Sequence, residues 1–302
     1  MQMTRTIPSA LLIRDLYARM LLTRLVDDAT CKLYEQGQTD FVASCRGHEA
    51  AQVGSAVCIE IGKDFTLPYY RDLGVVLSIG MTPHEVFRTH IQAHRYSTNA
   101  QISHTSESTI PTAHWGYHKH NTVTGSAPVA TQILHAAGIA FSSKLRKASV
   151  VTIAYCGDGA TSEPDFLEGL RFAALHQLPV IFICEQDCTE CAHGLSEAPS
   201  CLHSIQLPAG LYHQRIDGTD IVTVHQSMQA AMQQAREHHQ PILLEMCVSR
   251  PDSENHLLHD PLLRCQHILQ EQNAWDQQWA DSLHERLTAE VAQALHDALH
   301  DP

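Results

Sequence analysis

The sequence predicts an α/β protein with a doubly wound, mainly parallel sheet flanked by helices, and three observations support this. Short, apolar, β-branched runs at residues 150–155, 178–184 and 241–246 have the length and composition of strands buried on both faces. Segments with helical periodicity alternate with these runs along the chain. Residues 150–184 read as strand, Gly-Asp-Gly turn, helix and strand, which is the order of a βαβ crossover.

The elements expected before the central strand are mostly helical. An amphipathic helix over residues 10–37 follows from apolar residues near a 3.6-residue spacing and from Gly37 as its stop. Further helices are expected over residues 48–60, 82–100 and 131–146; the last of these is rich in alanine and has a basic end. Residues 97–124 are polar with few periodic apolar positions, which predicts a long loop.

The second half of the chain continues the alternation. Pro164 suits the first turn of the helix that follows the Gly-Asp-Gly turn. A helix over residues 221–238 precedes the strand at 241–246, and an amphipathic helix closes the chain over residues 275–300. Since no repeat or linker divides the sequence, we expect residues 1–302 to form a single domain with an N-terminal helical arm at 10–37.

Charge and composition make several kinds of partner and location less favourable. The formal net charge of −13 at pH 7 disfavours nucleic acid and anionic membranes as partners. No N-terminal signal peptide or apolar run of membrane-spanning length is visible. The ten cysteines are scattered, and several fall inside apolar strands, as is usual for reduced cysteines. These features predict a cytoplasmic protein.

Acidic residues follow two neighbouring strands of the predicted sheet. Asp158 comes directly after the strand at 150–155, and Glu185, Gln186 and Asp187 follow the next strand. Ligands of such sheets bind outside the carboxyl ends of the strands. Two carboxylates at one edge would repel each other unless a hard cation lay between them. The pattern alone therefore predicts a site for a divalent metal and a phosphate.

The same stretch carries a family resemblance. Residues 157–163 read GDGATSE, and a polar pair follows about thirty residues later, which is the thiamine diphosphate signature. The sequence GDGATSEPDF…FAALHQLPVIFICE resembles the α subunit of 2-oxo acid dehydrogenases. These subunits form the decarboxylating component of the pyruvate and branched-chain complexes. Residues 46–54 (RGHEAAQVG) and 124–132 (TGSAPVATQ) also resemble that family, and the likeness covers roughly residues 12–275.

This resemblance implies the thiamine diphosphate-binding fold, of which one chain holds only the diphosphate-binding half. A separate β subunit would supply the other half, in an α2β2 assembly. The implied activity is oxidative decarboxylation of a 2-oxo acid, branched-chain or pyruvate, with transfer of the acyl group to the lipoyl arm of an acyltransferase. The implied cofactors are thiamine diphosphate and Mg²⁺, with K⁺ as a further cation.

The resemblance also implies roles for particular residues. Asp158, Asp187 and the carbonyl of Thr189 would bind magnesium. His256 would contact the diphosphate and act in catalysis as a proton donor or oxyanion partner, and Val129 would face the aminopyrimidine. The remaining diphosphate contacts would be Tyr70, Arg71, Gly157, Gly159 and Ala160. The potassium ligands would be Ser126, Pro128 through its carbonyl, Thr131 and Gln132.

Departures from the family pattern leave a second hypothesis open. Asp187 stands where the family has asparagine and adds a negative charge near the diphosphate, while Ala127 replaces a serine. The basic, glycine-rich stretch of the family is absent from residues 101–108. The alternative is a catalytically degenerate paralogue that keeps the fold and acts structurally or regulatorily.

A third hypothesis rests on cysteine and histidine. Six such residues lie within a span of twenty residues and could bind zinc or form a redox pair: Cys184, Cys188, Cys191, His193, Cys201 and His203. The second pair does not have a standard zinc spacing, and Cys184 is expected to point into the sheet. This hypothesis predicts a metal- or redox-sensing protein.

Overall fold

The computed structural model describes residues 8–102, 115–116, 120–188, 199–250 and 256–301, with backbone only for residues 96–102, 256 and 257. Within these ranges five strands form one sheet in the order β1-β2-β3-β5-β4, and every pairing is parallel. The strands are β1 Phe65–Leu67, β2 Thr152–Gly157, β3 Val180–Asp187, β4 Tyr212–Asp217 and β5 Ile242–Val248. The predicted parallel α/β fold is confirmed.

Helices flank the sheet and cover its ends. They are α1 Ala10–Glu35, α2 Glu49–Ala56, α3 Leu73–Ser78, α4 Pro83–Ile102, α5 Thr131–Leu145, α6 Pro164–His176, α7 Ile221–His238, α8 His256–His259, α9 Pro261–Glu271 and α10 Gln277–His300. A short 3-10 helix, Asp158–Ser162, joins β2 to α6. Among the helices of the described ranges, none is long and apolar enough to cross a membrane.

Two hydrophobic cores lie on opposite faces of the sheet because successive side chains of a strand point to opposite sides. In β2, Ile153 and Tyr155 pack with residues of α2 and α7, whereas Ala154 and Cys156 pack with residues of α5 and α6. The central strands are therefore buried on both faces, which explains why they read in the sequence as continuous apolar runs rather than as alternating ones.

The register of the central strands brings their polar ends together. Gly157, the last residue of β2, is the partner of Glu185 in β3. Asp187, the last residue of β3, is the partner of Val248 at the end of β5. The side chains that follow these strands therefore share one edge of the sheet, where the rule for open α/β sheets places ligands.

Some boundaries differ from the sequence predictions. Strand β3 continues to Asp187, so Glu185, Gln186 and Asp187 belong to the strand instead of following it. The loop predicted from residue 97 is wrong in its first part, because α4 continues to Ile102. No glycine or proline interrupts residues 97–102, and extending a formed helix costs less than starting one. Helices α3, α8 and α9 are additional to the prediction; α3 and α8 are short, whereas Asp260 and Pro261 at the start of α9 are a helix-start signal that the prediction did not use.

Helices α1 and α10 pack against each other. Arg14 in α1 donates hydrogen bonds to the carbonyl of Ala274 and lies over the ring of Trp279 in α10, 4.7 Å from its centroid. Tyr17 packs edge-on against Trp275. Helix α10 thus closes over α1, although the two are almost the whole chain apart in sequence.

Candidate active site

A pocket of about 230 Å³ opens at the carboxyl ends of β2, β3 and β5. Its walls bring together side chains from loops that follow β1 and β5, from the 3-10 helix and from the loop before α2. The lining residues are His48, Tyr69, Tyr70, Arg71, Ser126, Ala127, Val129, Gln132, Cys156, Gly157, Asp158, Gly159, Ala160, Glu163, Glu185, Asp187 and Arg250.

Asp158 links the ends of the two central strands. One carboxylate oxygen accepts a hydrogen bond from the backbone N–H of Gly159 at 2.8 Å, and the other accepts from the backbone N–H of Asp187 at 3.2 Å. The second hydrogen bond joins the carboxylate of Asp158 to the backbone of Asp187, the two acidic residues of the predicted metal site. Carboxylate oxygens are the ligands that Mg²⁺ prefers, so the arrangement has suitable donor chemistry.

Arg250, to which the sequence analysis assigns no role, contributes a guanidinium group to the pocket. It follows β5 and its Nε lies 3.0 Å from Oδ2 of Asp187. Both side chains are partly exposed, at 38% for the arginine and 28% for the aspartate. The pocket consequently holds two guanidinium groups, those of Arg71 and Arg250, among four carboxylates: Asp158, Glu163, Glu185 and Asp187.

A buried acidic network forms the floor of the pocket. Oε2 of Glu185 accepts hydrogen bonds from the hydroxyl of Tyr69 at 2.9 Å and from Nε2 of Gln52 at 3.2 Å, and it lies 2.6 Å from Nδ1 of His48. Asp72 is fully buried and accepts a hydrogen bond from the same Nε2 of Gln52 at 3.5 Å. Burial raises the pKa of Asp72 well above its usual value, and the nearby charge of Glu185 raises it further. Burial likewise raises the pKa of Tyr69.

The predicted Tyr-Arg pair follows β1 and lies on the pocket wall. Arg71 donates a hydrogen bond to the carbonyl of Ser44 at 2.5 Å, which fixes its guanidinium 5.6 Å from the ring centroid of Tyr70. Tyr70 is 42% exposed and packs edge-on against Phe41. A fixed guanidinium offers paired donors, which suits a phosphate.

The loop before α5 brings together three of the four oxygen donors predicted for potassium. The Oγ of Ser126 lies 3.0 Å from the carbonyl oxygen of Pro128 and 3.4 Å from Oε1 of Gln132. The amide of Gln132 also donates to the carbonyl of Tyr155 at 3.0 Å. The hydroxyl of Thr131 instead contacts Asp165 at 3.2 Å.

Most of the predicted site residues therefore line one pocket: Tyr70, Arg71, Ser126, Val129, Gln132, Gly157, Asp158, Gly159, Ala160 and Asp187. Pro128 and Thr131 do not line it. Thr189 lies outside the described residues, and His256 begins α8 with its side chain outside the description.

Several pocket residues were not assigned roles from the sequence: His48, Tyr69, Cys156, Glu163 and Arg250. The strand-end rule contained the signal for Arg250, which follows β5 just as Asp158 follows β2. His48 had a weaker signal, because the helix that it precedes was expected to start near the site.

Four of the cysteines form two pairs, Cys184 with Cys201 and Cys188 with Cys247. The Sγ atoms of Cys184 and Cys201 are 3.8 Å apart. A hydrogen bond from Cys188 lowers the pKa of the Cys247 thiol, and the charge of Arg215 acts in the same direction. Cys191 and His193 lie outside the described residues, and within the described ranges no group of three or more metal-binding side chains occurs. The zinc hypothesis stays a prediction.

Comparison with known proteins identifies the family of this chain. A model of the family "Dehydrogenase E1 component" matches residues 17–302. The α subunit of 2-oxoisovalerate dehydrogenase from Bacillus subtilis is 32% identical over 306 aligned positions, covering 95% of this chain and 91% of the relative. The α subunit of 3-methyl-2-oxobutanoate dehydrogenase from Mycobacterium tuberculosis is also 32% identical, covering 96% of this chain and 78% of the relative.

A more distant relative comes from the pyruvate enzymes. The α subunit of the pyruvate dehydrogenase E1 component of Staphylococcus aureus is 26% identical, covering 94% of this chain and 77% of the relative. A parallel sheet with a polar pocket at the carboxyl ends of its strands is the arrangement of a ligand-binding α/β enzyme. The chain belongs to the dehydrogenase E1 component family. The resemblance to α subunits of 2-oxo acid dehydrogenases is therefore confirmed.

Proposed function

We propose that this α subunit binds Mg²⁺ and thiamine diphosphate and, with a β subunit, oxidatively decarboxylates a 2-oxo acid and passes the acyl group to a lipoyl-bearing acyltransferase. One observation carries the proposal. Asp158 and Asp187 meet at the ends of adjacent strands, joined by the hydrogen bond from the Asp187 backbone, in the same pocket as Tyr70 and Arg71. The proposed metal ligands and the proposed phosphate donors therefore line the same pocket.

The residues present fit a magnesium diphosphate. Asp158 and Asp187 offer carboxylate oxygens to the metal, and Arg71 and Arg250 offer guanidinium donors to the phosphates. A diphosphate alone would be repelled by the four carboxylates of the pocket, and a bound divalent cation would reduce this repulsion. From the family resemblance, the Thr189 carbonyl would complete the magnesium ligands.

In this proposal each part of the pocket holds one part of the cofactor. Tyr70 and Arg71 contact the diphosphate together with Gly157, Gly159 and Ala160, while Val129 lies against the aminopyrimidine. Thiamine diphosphate, when bound, supplies the electron sink for decarboxylation. The chain's own groups bind and orient. His256 acts as the proton donor or oxyanion partner, and Ser126, Pro128, Thr131 and Gln132 bind potassium.

Two exposed side chains at the mouth of the pocket, those of Val129 and Tyr70, support the proposal that a second subunit completes the site. Val129 is 50% exposed and Tyr70 is 42% exposed, although both line the pocket. Apolar and aromatic side chains at a pocket mouth are typical of an interface that another chain covers. We propose that the β subunit covers the mouth of the pocket in an α2β2 assembly and contributes the pyrimidine-binding half.

The substrate is proposed to be a branched-chain 2-oxo acid or pyruvate. Both classes occur among the relatives, and the two branched-chain α subunits are 32% identical to this chain while the pyruvate α subunit is 26% identical. The relatives' substrates thus favour a branched-chain acid. Reconstituted enzyme should be assayed with 2-oxoisovalerate and with pyruvate, using an artificial electron acceptor to make the acyltransferase unnecessary.

The cofactor part is tested by calorimetry. The full chain, co-purified with its β subunit, is titrated with thiamine diphosphate with and without Mg²⁺. We expect Mg²⁺-dependent binding that Asp158→Ala abolishes and that Glu168→Ala, an exposed control in α6, leaves unchanged. A stable complex that does not bind the cofactor would contradict the proposal and favour the structural or regulatory paralogue.

A further inference from the structure

His48 joins the buried acidic network to the pocket. It caps the start of α2, is 2% exposed, and forms part of the pocket wall. The loop that carries it is fixed by Gly47, whose φ is +88° and whose absent Cβ would lie 1.9 Å from the carbonyl oxygen of Ser249. The backbone before α2 is therefore pressed against the segment that follows β5, and the imidazole has little room to move.

One side of the imidazole ring is held by a carboxylate. Nδ1 lies 2.6 Å from Oε2 of Glu185, which is 1% exposed. The same oxygen also accepts hydrogen bonds from the hydroxyl of Tyr69 and from Nε2 of Gln52, so three polar groups converge on it and fix its position. Glu185 consequently orients the ring with its Nδ1–H directed at the carboxylate, as second-sphere carboxylates do for functional histidines.

The other side of the ring has no such contact. Nε2 of His48 is buried and makes no hydrogen bond to any of the described residues. A buried polar nitrogen without a partner costs free energy, so this atom is suited to a ligand group. Arg71 lines the same pocket, so a phosphate oxygen of the proposed metal-bound diphosphate would find a guanidinium donor beside the imidazole. An imidazole nitrogen can donate to a phosphate oxygen placed at this position while the opposite ring nitrogen donates to Glu185.

We infer that His48 is a diphosphate-binding residue of this chain, which donates from Nε2 to a phosphate oxygen, and that Glu185 is the positioning residue that orients it. This inference rests on the proposed function, since the anion is the metal-bound diphosphate of the cofactor. His48 would thus bind the diphosphate directly, and it is not one of the residues proposed to bind Mg²⁺.

Two substitutions of His48 distinguish the role of Nδ1 from that of Nε2. His48→Asn places an amide near the position of Nδ1 and keeps a donor for Glu185, but it loses the group at Nε2. His48→Gln places an amide near Nε2 and loses the contact at Nδ1. The complex of the full chain with its β subunit is titrated with magnesium pyrophosphate and with magnesium thiamine diphosphate, and the melting temperature is recorded for each variant.

Loss of a charge-assisted hydrogen bond should weaken binding of both ligands by about tenfold or more in His48→Asn, while His48→Gln retains most of the affinity. The inference is overturned if both variants bind like the wild type, if both lose affinity equally, or if His48→Asn weakens thiamine diphosphate but not pyrophosphate. Absence of binding in the wild type would instead overturn the proposed function and this inference with it.

Discussion

The Nε of Arg250 lies 3.0 Å from Oδ2 of Asp187, so the carboxylate that departs from the family's asparagine has a cationic partner in its own chain. This ion pair offsets the additional negative charge near the proposed diphosphate site. It also engages an arginine that could otherwise donate to the phosphates. The charge at position 187 and the availability of Arg250 are therefore linked.

Replacing Asp187 with asparagine should tighten cofactor binding. The substitution keeps an oxygen donor for Mg²⁺, removes one negative charge and releases Arg250 from the ion pair. We expect the affinity for thiamine diphosphate to rise about tenfold at low salt, and the gain to shrink at about 1 M salt because the exposed charges are screened. Calorimetry at two salt concentrations measures both effects. Asp187→Ala is the control and should weaken binding; weaker binding by Asp187→Asn would contradict the prediction.

Breaking the buried ion pair of α1 should strongly destabilise the fold. Arg24 lies 2.5 Å from Glu49, which is fully buried, and 2.8 Å from Asp260. Glu49→Ala leaves a buried guanidinium with a single partner, so the free energy of unfolding in urea should fall by about 3–5 kcal/mol. The exposed pair of Arg19 and Asp15 in the same helix is the matched control, and Asp15→Ala should cost less than about 1 kcal/mol. An equal loss of unfolding free energy in the two variants would show that burial does not determine how much an ion pair contributes to stability.

A methyl group at Gly47 should be tolerated much less than one at Gly62. Both glycines have positive φ, +88° and +80°, so alanine is strained at either position by about 1–2 kcal/mol. At Gly62 nothing lies within 4 Å of the new Cβ, whereas at Gly47 the Ser249 carbonyl blocks it. Urea unfolding should show a loss for Gly47→Ala at least twice that for Gly62→Ala. Similar losses would mean that the loop can move away from the segment after β5.

Acidification should destabilise the protein partly through His90. Burial lowers the pKa of this histidine to about 4. The folded state therefore binds the proton less readily than the unfolded state, so the stabilising contribution is present above pH 6.5 and is lost as the pH falls from 6.5 towards 4. Between pH 7.5 and 5 the loss is about 2 kcal/mol.

His90→Phe removes this titration and keeps a ring against Trp115, whose centroid is 5.8 Å from that of His90. The decrease in unfolding free energy between pH 7.5 and 5 should then be about 2 kcal/mol smaller in the variant than in the wild type. The comparison of the two decreases cancels the titration of the other histidines. An unchanged decrease would show that His90 is not buried as a neutral ring.

The sequence predicts the fold well where a pattern depends on local chemistry. The boundaries of α7 were predicted to the residue, because Asp220 caps its first turn and the apolar spacing is regular. The βαβ unit around Asp158 was predicted because glycine, aspartate and the flanking apolar runs leave few alternatives. Helix α3 was missed because six residues are too few to show a helical period.

The sequence predicts which residues of the candidate site adjoin strand ends, but it does not predict the contacts that the fold makes between distant segments. Asp158 and Asp187 follow from the parallel sheet. The contact between His48 and Glu185 joins residues separated by 137 positions, and the pairing of Arg250 with Asp187 depends on the order β3-β5 in the sheet. Neither strand order nor side-chain partners can be obtained from hydrophobic periodicity, since both depend on tertiary packing.

The closure of α10 over α1 has a consequence for synthesis on the ribosome. The hydrogen bonds from Arg14 to Ala274 join residues 260 positions apart. At about 5–20 residues per second, roughly 13–50 s separate the emergence of the two partners. Throughout that interval the apolar side of α1 that α9 and α10 later cover faces solvent or a chaperone. We therefore expect the nascent chain to be most prone to aggregation before its last two helices emerge, and its yield in cells to depend on chaperone capacity.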